Sequence, residues 1–313
     1  MHERELTMVE LVVGSRASQL ARSQVKEFLA PLRLRFPEVA FRHRVILEDG
    51  DLDRKSDLRE VSERGGGSAF AGRQAAALLA REVDVVVHSL KDLPTADPDG
   101  LLLLPPPPRA DVRDALCGGT LAALPAGARI GTSAARRIAQ LLYIRPDLAP
   151  ERIRGNVPTR LARLRTLDAV VLAAAGLHRL DRTAEITEHL PLDRFPPSPG
   201  QGALGIQVRA DDTRTRELLA GTGDPGTDAE VRAERAMLAE LHGGCSVPVG
   251  ALATTADGIL TLHGQVTDPR GTHQIEARLS GTPAEPEKLG RAVAALLLDL
   301  DAEALLRGPQ PRT

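Results

Sequence analysis

The segment Val83–Leu90, VDVVVHSL, is apolar at five of its eight positions, with Val85-Val86-Val87 unbroken at its centre. A strand of this kind has no water-facing side. It belongs inside a sheet covered on both faces, as parallel strands between helices are. Asp168-Ala169-Val170-Val171-Leu172 repeats the pattern further on. Each run has an earlier companion, a short strand that ends in a turn and opens a helix. Leu11–Val13 runs into Gly14-Ser15-Arg16-Ala17-Ser18 and a helical pattern through about Leu32. Ala128–Gly131 runs into Gly131-Thr132-Ser133 and a helix over Ala134–Tyr143. The echo predicts two similar α/β domains facing a common cleft.

The rest of the chain fits around that pair. Phe41–Leu47 reads as a second strand and Ala69–Arg81 as a helix. The proline-rich passages Pro94–Pro108 and Pro196–Gly205 read as crossings between domains. Gly205–Arg209 reads as a strand that returns to the first domain. From about Asp228 a third unit begins. It has a helix, strands near Val249–Ala253, Gly258–Thr267 and Gln274–Ser280, and a closing helix near Pro286–Leu306. The expected division is 8–106 completed by 203–220, then 107–200, then 224–313. A length of 313 residues suits two or three such domains.

Charge narrows the partners. With 40 basic and 42 acidic residues the formal net charge is −2, so no global basic field draws nucleic acid. Any anion must be recognised locally. The longest apolar runs, Leu101–Leu104 and Ala292–Leu298, are too short to span a bilayer. The opening MHERELTMVE has no apolar core of a signal peptide, and two cysteines make no disulfide framework. The expectation is a cytoplasmic monomer. The eight histidines are scattered and show no metal-binding spacing, so no metal is expected.

Candidate site residues cluster at strand ends. At Gly14-Ser15-Arg16-Ala17-Ser18, free N–H groups and the Arg16 side chain favour an anion. Helix capping by Ser15 or Ser18 is an equal alternative for the serines. Lys91-Asp92 follows the Val83–Leu90 strand, where ligands collect in α/β sheets. A surface ion pair is the plainer reading, and His88 reads as packed. Arg136, Arg137, Arg154, Arg160 and Arg179 all fall at turns or first helical turns. So many guanidinium groups at such positions argue for a ligand rich in carboxylates or phosphates. Glu48–Gly67 reads as a lid loop, and its glycines are no P-loop because no Gly-Lys-Ser/Thr follows. In Ala233–Gly250 an apolar helical face ends at Gly243-Gly244, with Cys245 at the tip. Two readings are open for Cys245: a small buried hydrophobe, or a reachable attachment point.

Several stretches, taken together, resemble the porphobilinogen deaminase family. They are Gly14-Ser15-Arg16-Ala17-Ser18, His88-Ser89-Leu90-Lys91-Asp92-Leu93-Pro94, Asp111-Val112-Arg113-Asp114-Ala115, and Gly131-Thr132-Ser133 with Arg136-Arg137. Arg154-Gly155-Asn156-Val157, Ala175-Gly176-Leu177, Gly200-Gln201-Gly202-Ala203, and Gly243-Gly244-Cys245 with Val247-Pro248 complete the set. Each is weak alone; the full set in the family's order is specific.

The resemblance implies two α/β domains like periplasmic solute-binding proteins and a smaller C-terminal α+β domain carrying the cysteine. It implies a dipyrromethane cofactor joined by a thioether to Cys245, and porphobilinogen as the substrate. Four porphobilinogen units are then joined head to tail with loss of ammonia, and water releases hydroxymethylbilane. Asp92 matches the catalytic aspartate, a carboxylate suited to stabilise the cationic azafulvene left by ammonia. Ser89, Lys91, Ser133, Arg136, Arg137 and Arg160 match cofactor-binding positions. Arg16, Ser18, Gln24, Arg154, Arg179 and Gln201 match positions for the substrate or the growing chain. Each pyrrole carries an acetate and a propionate, which suits bidentate arginines.

The chain departs from the family at Gly67, where a lid lysine is usual, and at Ala134, Pro158 and Ser246. Two rival readings use fewer of these residues. An anion-binding module needs neither Asp92 nor Cys245. A cysteine hydrolase needs a base such as His242, and no Asn or Asp partner for it is evident.

Overall fold

A computed structural model describes residues 9–48, 71–241 and 247–307. The lid residues 49–67 and the tip residues His242, Gly243, Gly244, Cys245 and Ser246 lie outside that set.

In chain order the first elements are β1 (Val9–Ser15), α1 (Gln19–Arg35), β2 (Val39–Val45), α2 (Gly72–Leu79), β3 (Val85–Ser89) and β4 (Leu101–Leu104). Next come β5 (Asp114–Cys117), β6 (Arg129–Gly131), α3 (Ala135–Ile144), β7 (Ala149–Glu151), α4 (Val157–Leu161), β8 (Ala169–Ala173), α5 (Ala174–His178) and β9 (Glu188–His189). The last are β10 (Leu204–Arg209), α6 (Thr213–Leu218), α7 (Pro225–Glu240), β11 (Val249–Ala256), β12 (Ile259–Thr267), β13 (Gln274–Gly281), α8 (Pro286–Asp299) and α9 (Ala302–Arg307).

The chain divides into two compact units. The first, residues 1–88, 97–104 and 204–222, holds a sheet of order β2-β1-β3-β10-β4. β1 pairs in parallel with β2 and β3, and β10 pairs antiparallel with β4. Alternation along β3 explains its apolar run. Val85 and Val87 pack with Leu11, Val13 and Phe28 of α1. Val86 packs with Val83 and Leu78 of α2. Both faces are therefore buried, as a strand with no polar side requires.

The second unit, residues 89–96, 105–203 and 223–313, holds two sheets. One has the order β7-β6-β8-β5-β9, with β6 parallel to β7 and β8 and with β5 antiparallel to β8 and β9. In each five-stranded sheet the opening strand of the βα repeat lies between its next two strands. A strand from elsewhere in the chain then joins the third. The other sheet is the antiparallel β11-β12-β13, which packs on α7 and α8 through Met237, Leu260, Leu262, Val293 and Leu297. The protein is thus mixed α/β, with two related sheet domains and a smaller C-terminal α+β part.

Two expectations need adjustment. The crossing at Pro94–Pro108 contains β4, because its proline-free Leu101–Leu104 has every N–H available to pair with β10. The expected closing helix is two helices. Asp301 takes a left-handed φ of 67°, which ends α8 and restarts the chain as α9.

Candidate active site

β3 ends at Ser89 and the chain tightens into one 3-10 turn, Leu90–Asp92. The Leu90 N–H donates to the Ala203 carbonyl at 3.1 Å, which ties this turn to the Gly200–Ala203 segment. That segment needs its glycines. Gly200 and Gly202 have φ of 75° and 88°, and a Cβ on Gly202 would stand 2.5 Å from the Ala110 carbonyl oxygen. Between them Gln201 is fully buried. Its Oε1 accepts from Lys91 Nζ at 3.0 Å. Its Nε2 donates to the Val112 carbonyl at 2.7 Å and to Asp114 Oδ1 at 2.9 Å.

Asp114 is the centre of the charge cluster. Arg137 donates to its Oδ1 through Nε at 3.0 Å and Nη2 at 2.7 Å. Arg136 Nη2 lies 2.7 Å from its Oδ2. Burial alone would raise the Asp114 pKa, but the two guanidinium groups overcome it and hold the carboxyl well below the usual range. Both arginines are buried at the start of α3. Arg136 is steadied by Gln140 Oε1 at 2.8 Å and the Pro196 carbonyl at 3.0 Å, and Arg137 by the Val171 carbonyl at 3.1 Å.

Burial and the nearby Arg137 push the Lys91 pKa down to about 8, against the pull of Asp92 and Asp114. Burial and Arg137 likewise push Arg160 down to about 10, against Asp92 and with Arg154 adding to the shift. Among the described residues the neighbourhood gathers five cations, Lys91, Arg136, Arg137, Arg154 and Arg160, and two carboxylates, Asp92 and Asp114. Arg136 Nε is buried with no hydrogen-bond partner among the described residues. A cationic excess with a spare buried donor fits an anion with several carboxylates, which is the character of a dipyrromethane.

The remaining expected residues fall around this centre or on the first unit. Ser133 donates to the Ile153 carbonyl. Arg160 Nε donates to the Gly155 carbonyl at 2.8 Å, and Arg179 Nη2 to the Gly202 carbonyl at 3.1 Å. On the first unit Ser18 caps α1, accepting from the Ala21 N–H at 3.1 Å, and Gln24 is buried in the same helix. Arg16 exerts its charge on buried Glu48 and His88. Cys245 is outside the described residues.

Two carboxylates had no role in the sequence reading. Asp114 stood only as a motif letter, and nothing local announces two long-range arginine partners. Glu234 is fully buried on α7. It accepts from Arg109 at 2.8 and 2.9 Å, from the Gly200 N–H at 2.7 Å and from the Ala253 N–H at 2.9 Å. Its signal was available, since it lies three residues before Met237 on the apolar face of the helix.

Comparison with known proteins finds relatives along most of the chain. Residues 11–217 match the family model "Porphobilinogen deaminase, dipyromethane cofactor binding domain", and residues 229–299 match "Porphobilinogen deaminase, C-terminal domain". Porphobilinogen deaminase of Moorella thermoacetica is 43% identical over 305 residues, covering 96% of each chain. That of Deinococcus radiodurans is 43% identical over 305 residues, covering 96% of this chain and 98% of its own. Among solved structures, the alkanesulfonate-binding protein SsuA from Xanthomonas axonopodis pv. citri overlaps 96% of each chain at 15% identity, with a TM-score of 0.37.

Proposed function

The chain belongs to the porphobilinogen deaminase family, transferases of tetrapyrrole biosynthesis with a dipyrromethane cofactor, and we propose that it polymerises porphobilinogen on that cofactor. Four porphobilinogen molecules are joined head to tail, each losing ammonia, and hydrolysis releases hydroxymethylbilane. Cys245 would anchor the cofactor by a thioether, and the cofactor would supply the free pyrrole carbon for the first unit.

The residues divide the work by charge. Lys91, Arg136, Arg137 and Arg160, with Ser89 and Ser133, hold the cofactor's carboxylates. Arg16, Ser18, Gln24, Arg154 and Arg179 take those of the incoming unit and the lengthening chain. Gln201, joined to Lys91 and Asp114, serves this reading by holding the Lys91 ammonium in place. Asp92 is the carboxylate we assign to the pyrrole N–H. It stabilises the positive charge that develops as ammonia departs and takes up the proton released when the new bond forms. The cation cluster around Asp114, beside Asp92, is the observation that carries this assignment. We read the chain as a cytoplasmic monomer of three domains, 8–106 with 203–220, 107–200, and 224–313. Among the described residues no helix is long and apolar enough to cross a membrane.

The deciding experiment is the intact mass of the purified, denatured chain after incubation with porphobilinogen. An excess of two pyrrole units, lost in Cys245→Ser, is expected. Asp92→Ala should keep the excess mass and lose turnover. An unmodified native chain, or undiminished turnover in Asp92→Ala, overturns the assignment. Retained anion binding without pyrrole polymerisation would favour the binding-module alternative.

A further inference from the structure

Three side chains far apart in sequence meet in the second unit. Asp111 lies just before β5, His178 ends α5, and His189 lies on β9, paired with Ala115 of β5. One carboxylate oxygen of Asp111 and one ring nitrogen of each histidine all lie within 4.8 Å of one another. The two rings meet edge to face, with centroids 6.3 Å apart and planes at 74°.

Two further observations bear on these groups. His189 Nδ1 is buried and has no hydrogen-bond partner among the described residues, a state that costs free energy unless something else takes the nitrogen's lone pair or proton. Asp111 is gripped by Arg113, through the main-chain N–H at 2.9 Å, Nε at 3.0 and 3.1 Å, and Nη2 at 2.7 Å. Each carboxylate oxygen accepts two of these hydrogen bonds, so an ion would take an oxygen in place of the shared Nε contact, with the remaining Arg113 bonds orienting the carboxylate.

We propose that Asp111, His178 and His189 form a binding site for one divalent transition ion of the zinc class, with water completing its coordination. Two imidazoles with one carboxylate select such an ion over magnesium or calcium, which prefer oxygen ligands throughout. Ligand atoms around zinc stand about 3–3.5 Å apart, given bonds of about 2.0–2.2 Å. The cluster must close by about 1 Å, which a rotamer adjustment of the exposed His178 supplies. The ion would tie the end of α5, where Arg179 follows, to β9 and to the approach of β5.

The test uses the whole, cofactor-carrying protein, cleared of metal with a chelator. Zinc is titrated against a chromophoric competitor, and cobalt is added separately to read its visible absorption. About one equivalent of zinc should bind, and cobalt should give the bands of a nitrogen- and oxygen-ligated ion. His178→Ala and His189→Ala should each weaken zinc by ~10–100-fold. Far-UV circular dichroism in chelator checks that each variant folds, and His189→Gln replaces His189→Ala if the smaller side chain does not. Three results would overturn the site: no zinc retained at micromolar concentration, equal affinity in the double histidine variant, or a sulfur-to-cobalt charge-transfer band that assigns the ion to a cysteine.

Discussion

His88 stands at the end of β3 with 6% of its surface exposed. Burial pushes its pKa down to about 4; Gln207 opposes that shift and Arg16 adds to it. The native ring therefore refuses a proton that the unfolded chain accepts at its ordinary pKa of about 6.5. Above about pH 6.5 the ring is neutral in both states and the full stability is present. As the pH falls from there to about 4, the unfolded state gains the proton first, and roughly 3 kcal/mol of stability is lost. Urea unfolding at about pH 7.5 and about pH 4.5 should show His88→Gln losing less stability than the native chain. Equal losses would mean that the buried ring does not carry this term. Histidine in an apolar run is visible in the sequence; the depth of its burial is not.

At the scale of elements, α7 and α8 approach so closely that one position admits only glycine. A Cβ on Gly290 would stand 2.4 Å from the Ala233 carbonyl oxygen and 2.8 Å from Ala236 Cβ. In an isolated helix Gly290→Ala would gain up to about 1 kcal/mol. Here main-chain atoms block the methyl, no rotamer relieves it, and the helices must part. The net effect should be a loss of about 1–3 kcal/mol, read as a lower thermal midpoint with secondary structure retained. An unchanged or higher midpoint would mean that the helices separate freely. The start of α7 needs no such long-range knowledge. Asp224 accepts from the Thr227 N–H at 2.7 Å, and Pro225 opens the helix, a cap made within four residues.

Over the whole molecule, the chain passes between its two units at 88–89, 96–97, 104–105, 203–204 and 222–223. Neither unit is one continuous segment. β10, which arrives after residue 203, lies between β3 and β4 and carries Ile206 and Val208 into the core of the first sheet. A fragment ending at residue 203 would leave the edge of β3 unpaired and Val85 and Val87 without those neighbours. It should be insoluble or lack cooperative unfolding, and adding residues 204–222 should restore the first unit's fold. A soluble fragment 1–203 with a cooperative melt would mean that β10 is dispensable.

The sequence alone determined the longer elements and the family. Apolar runs and period-matched helices are written in adjacent residues, so β3, β8, α1 and α3 could be read from short windows. The order of motifs from Gly14 to Cys245 carried the resemblance that the comparisons bear out. The clusters were decided only in three dimensions. Asp114 meets Arg136 and Arg137 because β5 lies beside β8, where Arg137 also reaches the Val171 carbonyl. Glu234 meets Arg109 and Gly200 across many residues of chain, and histidines that show no metal spacing converge with Asp111. Secondary structure follows from interactions a few residues long. The partner of a buried charge depends on which distant strands become neighbours, and no local pattern encodes that choice.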